Sequence, residues 1–298
     1  MRVGLIGGTG FVGGYLVDAM LARGHDVSLL VRPGSESKVR RASEVHAVAG
    51  ELETSDALAK VLEDCDAAIY NVGLIREFPR QGITFERAQY EGLVDTVAAA
   101  KQVGVRRLLL MSAIGVKDAG TKYQQSKHRA ERHALDSGLD VTVLRPSVIF
   151  GDPRGTMEFA TQLYRDMVRP PVPAVSFSGV RMSPVHIEDV AAAFAAALAD
   201  SETVEKTIEL AGPEALSWDE ILRRVAAAAG KSKILLPMPL WVMRIGATLF
   251  DWLPFYPVTR DQLTMLAEGN IANSDMLEDL IGHRAQPFSE NTLTYLTN

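Results

Sequence analysis

The stretch Val3-Gly4-Leu5-Ile6-Gly7-Gly8-Thr9-Gly10-Phe11-Val12-Gly13-Gly14 decides the reading of the whole chain. It opens as a short apolar run and breaks into glycines. From residue 15 to 22 it continues with helical spacing. A strand therefore turns sharply into a helix. Gly7 permits the turn, Gly10 lets backbone approach a pyrophosphate, and Gly13 lets the helix pack close on the strand. Thr9, Phe11 and Val12 complete a loop whose helix N-terminus faces phosphate charge. A glycine triplet alone is a weak signal. The strand before it and the helix after it make it a dinucleotide-binding signal.

Working outward, apolar runs recur at residues 27–31, 46–49, 67–72, 107–111 and 141–144. Helical patterns at 57–62, 85–102 and 123–135 separate them. Strand and helix in alternation predict an α/β fold, a Rossmann-type doubly wound parallel sheet. The runs are continuous rather than alternating, which predicts strands buried on both faces. After Gly151 the rhythm changes, with turns, a helix at 157–167 and a Pro-rich breaker at 169–173. Ser217 with Glu220, and Thr259 with Gln262, have the spacing of capping boxes that open helices. The expected organisation is a dinucleotide-binding domain over 1–151, with 184–211 returning to it. A smaller, mostly helical lobe takes 152–183 and 212–298.

Composition narrows the function. The chain has 298 residues, 47% hydrophobic, with one cysteine and a net charge of −6. That is too apolar for disorder, and the acidic balance argues against nucleic acid as a partner. One cysteine excludes a disulfide framework, and no His, Asp or Glu cluster has metal-ligand spacing, so no metal is expected. Arg244 and Asp251 interrupt the most apolar region, 234–258, so no transmembrane span is expected. The apolar run at residues 3–6 reads as a strand, so no signal peptide is expected and a cytoplasmic location is the default expectation.

Two further patterns carry chemistry. The second strand ends at Val31 with Arg32 where NAD binders carry an acidic residue, and Lys38, Arg40 and Arg41 follow. Cations there suit a 2′-phosphate, so NADP(H) is expected over NAD(H). Tyr123 and Lys127, four residues apart, share one helix face. An ammonium beside a phenol lowers the phenol pKa, which makes Tyr123 a candidate proton donor or acceptor for a carbonyl–alcohol pair. His128 and His133 lie off that face and read as solvated. His186 reads as a helix-capping residue and Cys65 as an inert core thiol. Trp241, Phe250, Trp252, Phe255 and Tyr256 gather the aromatics. They read as lobe core, or as the wall of an apolar pocket or a surface for a membrane or partner.

With these residues in view, the chain resembles the extended or atypical short-chain dehydrogenase/reductases. The matching stretches are Gly7 to Gly13, Tyr123 with Lys127, Leu144-Arg145-Pro146-Ser147-Val148-Ile149-Phe150-Gly151, Pro184-Val185-His186-Ile187-Glu188-Asp189-Val190-Ala191 and Leu210-Ala211-Gly212-Pro213-Glu214. Ser112-Ala113-Ile114-Gly115 and the tail around Trp241 and Thr259 to Leu263 are similar to the group of the complex I accessory subunit and its bacterial relatives. The resemblance implies that Tyr123 is the general acid/base, that Lys127 holds the nicotinamide ribose, and that Ser112 orients the substrate oxygen. It also implies that Pro146, Ser147 and Val148 border the nicotinamide, that Asn71, Val72 and Gly73 line the cofactor, and that Glu51 and Leu52 flank the adenine.

Two function classes follow. One is an NADP(H)-dependent oxidoreductase acting on an apolar small molecule, quinone- or isoprenoid-like, with peripheral membrane contact allowed. The other is a cofactor-binding sensor or accessory protein, favoured by Gln89 and Ala113, which stand where the family usually carries Asn and a second hydroxyl residue. A sugar-nucleotide epimerase or dehydratase is a distant third.

Overall fold

The computed structural model describes residues 1–239, 241–242 and 259–297. Of the aromatic group above, Phe250, Trp252, Phe255 and Tyr256 lie outside the described residues. The chain divides into two compact units, Met1–Arg145 with Val190–Ile208, and Pro146–Asp189 with Glu209–Asn298.

The first unit holds β1 (Arg2–Ile6), α1 (Phe11–Ala22), β2 (Asp26–Val31), β3 (Val45–Ala49), α2 (Ser55–Leu62), β4 (Ala67–Tyr70), α3 (Gly92–Val103), β5 (Arg107–Met111), α4 (Lys122–Leu135) and most of β6 (Asp140–Pro146). With a later strand, β11 (Thr207–Leu210), they form a seven-stranded sheet of order β11-β6-β5-β4-β1-β2-β3, the Rossmann-type fold expected. Strands β1 to β6 pair in parallel. Val3, Leu5, Ile6, Leu29, Ile69 and Leu109 are fully buried, because helices cover both faces of the central strands. The third strand departs from that expectation. It is an edge strand paired only with β2, and His46, Ala47 and Ala49 are exposed. The strand order changes direction between β1 and β4, and in open α/β sheets the ligand crevice lies at the carboxyl ends beside such a switch.

The helix expected over 85–102 is not continuous. Residues Glu86–Glu91 form a wider π-helical turn before α3. Its cause is local. The Tyr70 hydroxyl donates to the Ala88 carbonyl at 2.7 Å, and a Cβ on Gly92 would stand only 2.5 Å from that hydroxyl. Turns of this kind recur at functional sites.

The second unit contains β7 (Ile149–Phe150), α5 (Phe159–Leu163), β8 (Ala174–Ser176), β9 (Arg181–Met182) and β10 (Val185–His186). The chain then runs through α6 (Ile187–Ala199) and β11 to β12 (Leu216–Ser217), α7 (Trp218–Ala228) and β13 (Leu235–Pro237). It continues to α8 (Arg260–Glu268) and α9 (Asp275–Ile281). The strands pair two by two, β7 with β10, β8 with β13 and β9 with β12. Phe150, Phe177, Trp218, Ile221, Phe288 and Leu293 form its core. Both expected capping boxes close: Ser217 and Thr259 each accept from the backbone of the residue three ahead, whose side chain accepts in return. Each such cap stabilises its helix by about 1 kcal/mol.

Candidate active site

The phosphate end is built almost wholly of backbone. Gly7 has φ +95°, and a Cβ there would stand 2.6 Å from the Asn71 carbonyl oxygen. A Cβ on Gly13 would stand 2.3 Å from the Gly7 carbonyl oxygen, so α1 can pack this close only through glycine. Gly10 differs. A Cβ there would meet only the Gly7 oxygen, at 3.9 Å, so the space before the helix is open. The first helix has no side-chain cap and no carboxylate in its first turn, which leaves its N-terminal amides to a bound anion. The Asn71 amide donates to the Gly7 carbonyl at 3.3 Å, tying β4 to the loop. Thr9, Phe11 and Val12 are half-buried around this opening, as are Asn71, Val72 and Leu52, while Gly73 and Glu51 are exposed. These residues fit a dinucleotide.

The basic stretch after β2 divides in two. Arg40 lies 3.9 Å from Asp18, and Arg41 donates to Glu44 at 2.7 Å. Arg32 and Lys38 are exposed, and their side chains form no hydrogen bond or ion pair among the described residues. The cations free to meet a phosphate are therefore Arg32 and Lys38.

At the chemical end, α4 carries Tyr123 and Lys127, and its start is held by a capping box between Thr121 and Gln124. The Lys127 ammonium is buried. It donates to the Met111 carbonyl at 3.0 Å and sits 6.0 Å from the centre of the Tyr123 ring. Gly73 is close by, with its Cβ position 3.8 Å from Lys127 Nζ. Phe85 packs edge-on against the Tyr123 ring, with centroids 5.6 Å apart. Ser112, directly after β5, is buried, and its hydroxyl has no hydrogen-bond partner. Lys127, Ser112, Gln89, Val72 and Tyr70 line one small pocket. A buried hydroxyl left unpaired costs about 1–3 kcal/mol, a cost removed when a ligand oxygen arrives.

The electrostatics correct one expectation. Lys127 does not lower the Tyr123 pKa; burial pushes the phenol up to about 12. Burial also pulls the Lys127 ammonium down to about 8, and Glu131 one turn along offsets this only in part. The ammonium is directed to the Met111 carbonyl, and the phenol's loss of water decides the sign.

Gln89 has a role that its sequence position did not disclose. It sits buried in the π-helical turn and donates to the Leu74 carbonyl at 3.0 Å, and its own carbonyl accepts from Ser126 at 2.6 Å. Ser126 lies within 2.9 Å of the Tyr123 carbonyl. Gln89 thus joins the segment after β4 to the helix that carries Tyr123. No short-range pattern marks a contact across 37 residues of chain.

The other singled-out residues fall as follows. Pro146 and Ser147 are buried and Val148 half-buried, all in the second unit. The Ser147 hydroxyl donates to the Asn270 carbonyl at 3.3 Å. The Asn270 side-chain oxygen is buried without a partner, a feature no motif announced. His186 accepts from the Glu188 amide at the start of α6, the capping role expected, and burial lowers its pKa. The Cys65 thiol donates to the Val61 carbonyl, and burial raises it to about 11, an inert thiol at neutral pH. His128 and His133 are both half-buried, and His133 packs edge-on against Tyr90 at 6.2 Å. Among the described residues no cluster fits a metal ion, and no helix is long and apolar enough to cross a membrane.

Comparison with known proteins agrees with this geometry. A family model described as NAD(P)H-binding matches residues 7–201. Ceramide reductase of Caulobacter vibrioides is 28% identical over 84% of this chain and 78% of its own. NADH dehydrogenase (ubiquinone) 1 alpha subcomplex subunit 9 of Mus musculus is 25% identical over 93% of this chain and 74% of its own. The crystal structure of gox2253 superposes with a TM-score of 0.78 at 23% identity, over 99% of this chain and 96% of that one, a likeness of fold. The chain belongs to the NAD(P)H-binding family that its glycine loop announces, among the extended short-chain dehydrogenase/reductases.

Proposed function

We propose that the protein is an NADP(H)-preferring oxidoreductase that interconverts a carbonyl and an alcohol on an apolar small molecule. The observation that carries this reading is the grouping of the buried Lys127 ammonium with the unpartnered Ser112 hydroxyl in one pocket, on the helix that carries Tyr123. The free side chains of Arg32 and Lys38 support the 2′-phosphate preference. Two relatives whose names describe a ceramide reductase and a ubiquinone-linked dehydrogenase subunit support an apolar substrate.

The bound nicotinamide would supply or accept the hydride. The chain's own residues do the rest. The N-terminal amides of α1 and the open space at Gly10 hold the pyrophosphate. Lys127 binds the ribose hydroxyls and keeps positive charge beside Tyr123. Ser112 donates to the substrate oxygen, and the Tyr123 hydroxyl gives that oxygen its proton, or takes it back in the reverse direction. A phenol pushed up to about 12 holds its proton at neutral pH, which suits proton donation and therefore carbonyl reduction.

A second reading, an accessory or sensing protein that binds NADP(H) without turnover, is favoured by Gln89. The longer side chain is wholly engaged in bridging Leu74 and Ser126. One experiment separates them. NADPH is mixed with a panel of quinones, long-chain ketones and aldehydes, and absorbance loss is followed for wild type and Tyr123→Phe. Turnover that vanishes in the variant supports the enzyme. Tight NADPH binding with no turnover across the panel supports the accessory role.

A further inference from the structure

The second unit carries an apolar surface that its own core does not need. The thirteenth strand alternates: Leu235 packs on the core, while its neighbours Ile234 and Leu236 face outward, 70% and 51% exposed. In the parallel partner β8, the Ala174 amide donates to the Ile234 carbonyl, which brings exposed Val172 alongside. Five residues beyond Leu236 stands Trp241, 63% exposed, followed by exposed Val242. Isolated exposed apolar residues need no explanation, but a group this dense on a paired ribbon does.

Cations are in excess beside it. The sequence has no Asp or Glu from residue 167 to 187, and none from 221 to 250. Within those stretches Arg169 and Lys231 are exposed. Lys233 donates to the Val168 and Pro170 carbonyls, which fixes its charge at the base of the ribbon. The carboxylates that flank these stretches in sequence are each paired with an arginine: Asp166 with Arg165, and Asp219, which also accepts from Ser176 of β8, with Arg223. The protein as a whole is acidic, at −6, so a cationic, apolar face runs against its average.

Exposed aliphatic and Trp side chains with an excess of cations beside them match an anionic bilayer surface, where Trp settles at the headgroup level and each nearby cation adds to the affinity. We propose that the β8–β13 ribbon with Trp241 docks the protein on anionic phospholipid. Neither half of the surface suffices alone, since reversible interfacial binding takes an apolar contact and a basic one together. The inference is independent of whether the protein turns over a substrate.

The test is vesicle flotation of the full chain. Phosphatidylcholine vesicles are compared with phosphatidylcholine vesicles containing phosphatidylglycerol. Wild type is expected to float with the anionic vesicles and to remain behind with the neutral ones. Arg169→Gln with Lys231→Gln should weaken the anionic binding by about thirtyfold, near fivefold for each charge removed. Ile234→Ser, Leu236→Ser and Trp241→Ser together should abolish it with all cations in place. Thermal melts of both variants, unchanged from wild type, show that the fold is retained. Flotation undiminished in either variant, equal flotation with both vesicles, or none with either overturns the proposal. A concentration-dependent dimer that the triple serine variant loses, without vesicle binding by wild type, assigns the face to a second copy instead and also overturns it.

Discussion

The glycine loop after β1 and the Tyr123 helix after β5 both belong to the carboxyl end of the same sheet, yet they are made in opposite ways. The loop works through backbone: its carbonyls and amides lie so close together that a Cβ at Gly13 has no place. The helix works through side chains gathered from three separate segments: Gln89, Ser112 and Lys127 line one small pocket, and Tyr123 stands one turn before Lys127 on the same helix. The first is determined over neighbouring residues, the second only by packing. A backbone site should therefore fail through sterics, whereas a side-chain site should fail through chemistry with the fold intact.

The largest expected effect tests the chemical end. Tyr123→Phe should lower turnover by about 10²–10⁴-fold, the usual contribution of a positioned acid, while NADPH affinity and thermal stability stay close to wild type. A variant that loses NADPH binding as well would show that the hydroxyl holds cofactor rather than moves a proton. The next tests the backbone end. Gly13→Ala should destabilise the protein by about 1–3 kcal/mol, because the neighbouring backbone must shift, and calorimetry should show the lowered Tm. Its companion, Gly10→Ala, has room at 3.9 Å and should leave Tm unchanged while weakening NADPH binding in a fluorescence titration. If both glycines behave alike, the distinction between packing and ligand space is lost.

Arg32→Ala should weaken NADPH binding by about 10–100-fold, the value of a charged hydrogen bond, and leave NADH binding unchanged. An equal loss for both cofactors removes the 2′-phosphate assignment. A smaller effect comes from Lys127. Its folded pKa is depressed from 10.5 to about 8, so between those pH values the unfolded chain binds more protons than the folded one. Its contribution to stability therefore rises with pH across that window. Tyr123 works the other way: its pKa is raised from 10.0 to about 12, and its contribution falls as pH rises through that range. Melts from pH 7 to about 10, comparing wild type with Lys127→Met, should show a pH-dependent gap that grows upward. A flat difference means that the ammonium is hydrated in solution.

Much of the fold was legible in the sequence because its signals are local. Continuous apolar runs mark strands buried on both faces, and β1, β4 and β5 have that burial. The third strand reads the same but is exposed, since a sheet's edge depends on which strand pairs last. The break in the helix at Glu86–Glu91 was not legible either, because it follows from Tyr70 reaching Ala88. In the site, the helical spacing of Tyr123 and Lys127 was visible, but the direction of their pKa shifts was not. Charge proximity alone predicts a lowered phenol; burial reverses the sign.

What the sequence by itself determined is the cofactor end: a strand, three spaced glycines and a helix can be arranged in one way that leaves room for phosphate, and every contact that enforces it comes from the loop or an adjoining strand. The tertiary structure alone decided which basic residues are free, that Gln89 bridges to the helix that carries Tyr123, and that the Ser112 hydroxyl is buried without a partner. It also decided which apolar side chains of the second unit are exposed among the described residues. The physical reason is common to all of these. Pairing, burial and exposure belong to residues far apart in sequence, and they acquire values only when the chain has packed.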